Sequence, residues 1–194
     1  DRDREVLEMS DLVRLDFRAV SDRCGPMVMN SVLGQTACDS LHNFRKYYKH
    51  LVPAVTRLVS MVTIDAFVKE QAITNHLILK IDAEGHDWPV IQGARESFAR
   101  GQVSAFIVEF VPHYIKEFID PTQMLLDLSR DHHLLHILEL RAGYHWKGHA
   151  LPDDAGALRE FSHHVQRSPL TYTDIVGISK RLPAAEQLVV RLCE

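Results

Sequence analysis

Three strand-like runs in the chain end at an acid. Asp22 follows Leu12–Val20, Asp82 follows Leu77–Ile81, and Glu109 follows Ala105–Val108. A carboxylate in such a place can accept a hydrogen bond from a ribose, an amine or a hydroxyl. It can also hold a divalent cation or act as a general base. Glu84 and His86 stand on the loop just past Asp82, where a histidine would titrate near neutrality. Glu109, if buried, needs a cation or a ligand, because an unpaired interior charge is costly. Lys80 is the obvious partner, which makes that lysine structural rather than catalytic.

Other chemistries find less support. There is no HExxH, no GxSxG, no P-loop and no GxG of any kind. The twelve histidines include the adjacent pairs His132-His133 and His163-His164, and adjacent side chains do not face the same way on a helix. Those pairs read as surface residues, and no metal ligand set is expected.

These acids matter only if the fold brings them together. The chain alternates strand-like and helix-like blocks, the pattern of βα units around a mainly parallel sheet. In such open α/β sheets a ligand sits beyond the carboxyl ends of the strands. The firmest unit runs from Leu77 to Glu109. Leu77–Ile81 reads as a central parallel strand buried on both faces. Asp87 is the expected N-cap of a helix with Pro89 in its first turn and Val90, Ile91, Ala94 and Phe98 at helical spacing. Gly101 suits its end.

The remaining elements are less sharply marked. Strands are expected at Leu12–Val20, Met27–Val32, Thr56–Val62, Leu134–Leu140 and Asp174–Ser179, and Gly143-Tyr144 reads as a turn into a short strand through Trp146. Helices are expected after Thr63 as N-cap, after Pro121, and from Asp153 or Asp154 to Val165. The aromatic and basic stretch Phe44–Lys49 reads as a helix or a loop, and as a solvated surface run. The tail from Leu182 has no assignment.

Bulk properties fit one globular domain over residues 1–194. The chain is 46% hydrophobic and 25% charged, with a formal net charge of −4. There is no basic stripe for nucleic acid and no apolar run long enough to span a bilayer. Cys24, Cys38 and Cys193 form neither a disulfide framework nor a zinc ribbon, and favour a reducing compartment such as the cytoplasm. Nothing in the sequence sets the oligomeric state.

Several segments together resemble a known family. Thr63-Ile64-Asp65-Ala66-Phe67, then Leu77 through Asp87, then Val90-Ile91-Gln92-Gly93-Ala94, then Ile107-Val108-Glu109-Phe110, resemble the FkbM family of S-adenosylmethionine-dependent methyltransferases. Arg18–Asp22 with Gly25, and Thr173–Ile178, add to the likeness, which runs over roughly residues 12 to 180.

The resemblance implies a Rossmann-like methyltransferase sheet, S-adenosylmethionine as cofactor, and methyl transfer to an oxygen of a small molecule or sugar. It implies cofactor contacts from Ser21, Asp22 and Asp82, and an acceptor site with Asp82, Glu84, His86 and Glu109. Asp87 stands where the family commonly has Glu. The family's glycine-rich first strand and the acid of its second are not found, so the sheet is expected to be incomplete at its N-terminal side. Two alternatives stay open: a truncated, non-catalytic binding module, and a metal-dependent hydrolase using Asp82, Glu84, His86 and Glu109.

Overall fold

The computed structural model describes residues 13–32, 35–40, 53–141, 145–167 and 172–193. The Phe44–Lys49 stretch and the Gly143-Tyr144 turn lie outside the described residues. Nine strands form two sheets among the described residues. The first contains β1 (Ala19–Val20), β2 (Gly25–Val32), β3 (Gln35–Ser40) and β4 (Pro53–Val62), in the order β1-β4-β2-β3. The second contains β5 (Leu77–Ile81), β6 (Val103–Phe110), β7 (His132–Arg141), β8 (His145–Ala150) and β9 (Thr173–Ser179), in the order β5-β6-β9-β7-β8.

The fold is α/β, but its sheets are mixed, which corrects the mainly parallel expectation. Among the described strands, only β1 with β4 and β5 with β6 pair in parallel. β2 runs antiparallel to β3 and β4, β7 to β8, and β9 to both β6 and β7. The first expected strand also shrinks. Only Ala19–Val20 pair, and residues 13–17 carry no strand. Val13, Leu15 and Phe17 remain exposed there, Phe17 by 92%.

Helices cover the second sheet unequally. They are α1 (Ile64–Glu70), α2 (Asp87–Gln92), α3 (Arg95–Ala99), α4 (Pro112–Ile115), α5 (Pro121–Ser129), α6 (Ala155–Arg167) and α7 (Ala185–Cys193). Local chemistry starts α1, α5 and α6 where the sequence indicated. Thr63 accepts from Ala66 N at 3.0 Å. Asp120 accepts from Thr122 N and Gln123 N with Pro121 in the first turn. Asp154 accepts from Ala157 N at 2.9 Å. Such caps satisfy amides that the helix cannot. The unassigned tail forms α7, whose Ala185, Val189 and Leu192 pack on Leu135, Val176 and Ile178.

One face of the second sheet is thickly covered. Leu79, Ile81, Phe106, Val108, Phe110, Leu134 and Ile175 pack there under Trp88, Ile91, Met124, Leu125, Leu158 and Val165. Among the described residues, the helix packed on the other face is α7, which lies against β7, β8 and β9. Ile78 therefore stays 81% exposed. This overturns the reading of β5 as a central strand buried on both faces. It is the edge strand, and alternate residues face solvent.

Candidate functional site

The loop after β5 is a tight turn. His86 N donates to Ala83 O at 3.1 Å, and Glu84 and Gly85 between them have φ of 48° and 86°. Two positive φ values in succession are the pattern of a type I′ turn. Glycine adopts this freely, whereas a glutamate there costs about 1–2 kcal/mol. Backbone held this way at a strand end is typical of functional loops.

The turn reorganises its neighbours. Asp87 does not cap α2 as expected. His86 occupies the N-cap position, and Asp87 is the first helical residue. Its buried carboxylate turns back to accept from Ala83 N and Gly85 N, each at 3.2 Å. The turn brings those two amides onto it, leaving no role for it at the helix end.

Ser21, at the end of β1, is buried and reaches this turn. Its Oγ donates to Asp22 Oδ1 at 3.0 Å and lies 2.9 Å from His86 Nε2. A serine has one hydroxyl proton, so with Asp22 receiving it, Nε2 of His86 is the donor in the second contact. The Phe118 ring meets His86 edge-on at 5.9 Å. Gly93 permits the approach of β1, since a Cβ there would sit 2.1 Å from Ser21 O. Asp65 supports the same corner. Its N donates to Gly93 O, and its carboxylate accepts from Glu96 N, Ser97 N and Ser97 Oγ at 2.6–2.9 Å. It thus caps α3 from a distant element.

Glu109 lies on β6, next to β5, directly opposite Asp174 of β9. Its carboxyl is pushed up to about 7, first by burial and then by the charges of Asp87, Glu84, Asp82 and Asp174. Burial likewise raises Glu84, Asp87 and Asp174 above the usual carboxylate range. Desolvation and like charge both disfavour the ionised form. The expected Lys80–Glu109 pair is absent. Lys80 Nζ bonds Asp82 Oδ2 at 2.5 Å, and both side chains are more than half exposed. The lysine side chain projects from the open face and takes the nearer acid.

The predicted residues thus fall into two linked sets. Ser21, Asp22 and His86 are joined by hydrogen bonds. Asp82, Glu84 and Glu109 share one electrostatic neighbourhood with Asp87 and Asp174. His86 adjoins Asp87 in the chain, and so links the sets. Asp174 was overlooked at sequence level. Its strand runs antiparallel, so its beginning, not its end, reaches the rim. Among the described residues, no group of three or more His, Cys, Asp or Glu could hold a metal ion.

The model of the methyltransferase FkbM domain matches residues 13–145. The chain belongs to this family. No curated protein and no solved structure gives a significant match. The match takes in every predicted site residue, from Ser21 to Glu109. Two FkbM-like pieces within the match carry no candidate chemistry but hold the site together. Asp65 caps α3, and Gly93 clears space for Ser21. The match makes the chain a methyltransferase domain of the FkbM type, and no helix among its described residues is long and apolar enough to cross a membrane.

Proposed function

We propose that this methyltransferase domain uses S-adenosylmethionine to methylate an oxygen of a small molecule or sugar. The observation that carries the reading is Glu109, a half-buried carboxyl held near 7 beside the strained turn at Glu84. A base whose pKa lies near the working pH is best placed to take a proton.

The residues fit such a cofactor in part. The acid-rich rim suits a sulfonium cation and ribose hydroxyls, whereas the sequence holds no GxG turn to cradle the cofactor's other end. Ser21, Asp22 and Asp82 would hold the cofactor. When bound, it supplies an electrophilic methyl group. The chain's own residues do the rest. Glu109 accepts the acceptor hydroxyl's proton as the new oxygen–carbon bond forms. Asp82 and Glu84 orient that hydroxyl, and His86 fixes the turn through Ser21. Because the transfer is an in-line displacement, such positioning supplies much of the rate.

The open edge of β5 supports a related structural proposal. The single domain seen here is completed, in the full protein, by further strands laid against β5 that bring the missing turn. The same edge favours a second reading, in which the chain is a methyltransferase-like module that binds a partner without catalysing transfer. The deciding experiment is isothermal titration of the full-length protein with S-adenosylmethionine, followed by competition with its demethylated product. Saturable heat that the product displaces is expected. No heat and no competition would overturn the cofactor assignment and leave the binding module. With binding intact, E109Q is expected to lower kcat with little change in cofactor affinity.

A further inference from the structure

On the closed face of the second sheet, two histidines of β7 and β8 stand side by side. Register places His136 of β7 directly opposite His149 of β8. Their ring centroids are 5.5 Å apart with 39° between planes. Two imidazoles that share one ion at nitrogen–metal distances of about 2.0–2.1 Å have ring centres roughly 5–6 Å apart. We propose that His136 and His149 form a bis-histidine site for a borderline-soft divalent metal ion of the Zn2+, Ni2+ or Cu2+ class, with water completing the coordination.

Two features favour it. Imidazole nitrogen is the ligand these metals prefer among first-row ions. The His136 ring is held against Phe161, 4.8 Å between centroids, so one ligand is already oriented while His149 is exposed and free to adjust. With two protein ligands, the pair is consistent with there being no three-residue metal set among the described residues. The ion would tie edge strand β8 to β7, three strands from Glu109's neighbour β5.

The adjacent pairs noticed in the sequence could not share an ion. This pair is separated by a hairpin, and only strand register joins it.

The test is titration of the full chain, free of any histidine tag and stripped with chelator, with NiCl2 or ZnCl2 alone. One ion per chain is expected. The exposed variant H149A should weaken binding roughly a hundredfold or abolish it, since even an outer partner of a metal ligand is typically worth about 10–100-fold in affinity. H149Q serves as a second variant, and circular dichroism checks that both fold. Paramagnetic Ni2+ should broaden the imidazole resonances of His136 and His149 before those of His132, His133 or His163. No binding by the wild type, or equal binding by H149A, would overturn the site.

Discussion

The two faces of the five-stranded sheet are built from the same strands and carry similar residues, yet one is closed and the other half open. On the closed face Phe106, Phe110, Met124 and Leu125 are all at most 1% exposed. On the open face α7 stops short of β5, and an isoleucine as apolar as any core residue meets water. The difference shows where the domain's stability resides, and the proposed working surface lies on the other side of it. Lys80 and Asp82 face solvent, and Glu109 and Asp174 belong to the open face by register. The acids gather where β5 and β6 end and β9 begins, partly buried by the turn after β5, and the closed face supplies the rigid support beneath.

The largest test of that contrast is F106A. Phe106 lies over Gly177, where a Cβ would come within 2.1 Å of its ring. Removing the ring leaves a void that close-packed neighbours cannot fill, at a cost of about 3–5 kcal/mol. Chemical denaturation should show that loss, with cofactor-site geometry affected only through global unfolding. A smaller effect comes from G93A. The added methyl must displace Ser21 O, and overpacking of this kind costs about 1–3 kcal/mol. Here the expected sign of a local effect is specific. The Ser21–His86 contact should break, seen as a changed His86 titration by NMR, while the closed core stays intact.

Most of this support was legible in the sequence, and the misses have physical causes. Thr63, Pro121 and Asp154 announce their helices because capping depends on residues a few positions apart. The Glu84-Gly85 turn was visible as a loop beyond an apolar run. Its positive φ values were not, since glutamate gives no hint of that conformation. The exposure of Ile78 was illegible, because an apolar run reads the same whether or not a neighbour lies beside it. Asp65 and Gly93 act over long sequence distances, and their roles emerge only when α1, α2 and β1 meet. The spacing of Ala185, Val189 and Leu192 was helical throughout, but the exposed Leu188 and Val190 between them hid it. Asp174 escaped notice because its strand was not expected to run antiparallel.

A subtler probe of the open face is the pH dependence of E109Q. Glu109 titrates near 7 when folded, against 4.5 for an unperturbed glutamate. Between those values the folded state binds the extra proton. This carboxyl therefore contributes stability below about 4.5 that is lost as pH rises through about 7. The glutamine variant should lose that portion of the pH dependence. Its stability relative to wild type should improve from pH 5 to pH 8. A wild type whose stability is flat over that range would mean Glu109 has found a cation.

The smallest expected effect is also the most discriminating between the two faces. Ile78 is 81% exposed, so I78A removes little buried surface and should change stability by no more than about 0.5 kcal/mol. That holds only while β5 remains an edge. If the full-length protein lays another strand and its helix against β5, Ile78 becomes a core residue, and the same substitution should cost about 2–5 kcal/mol. Measuring I78A in this chain and in the full-length protein therefore reads out the covering of the open face directly. A large difference between the two values places further chain on β5. Equal, small values mean that the face stays open in the working protein, and that the rim acids meet their acceptor without a second wall.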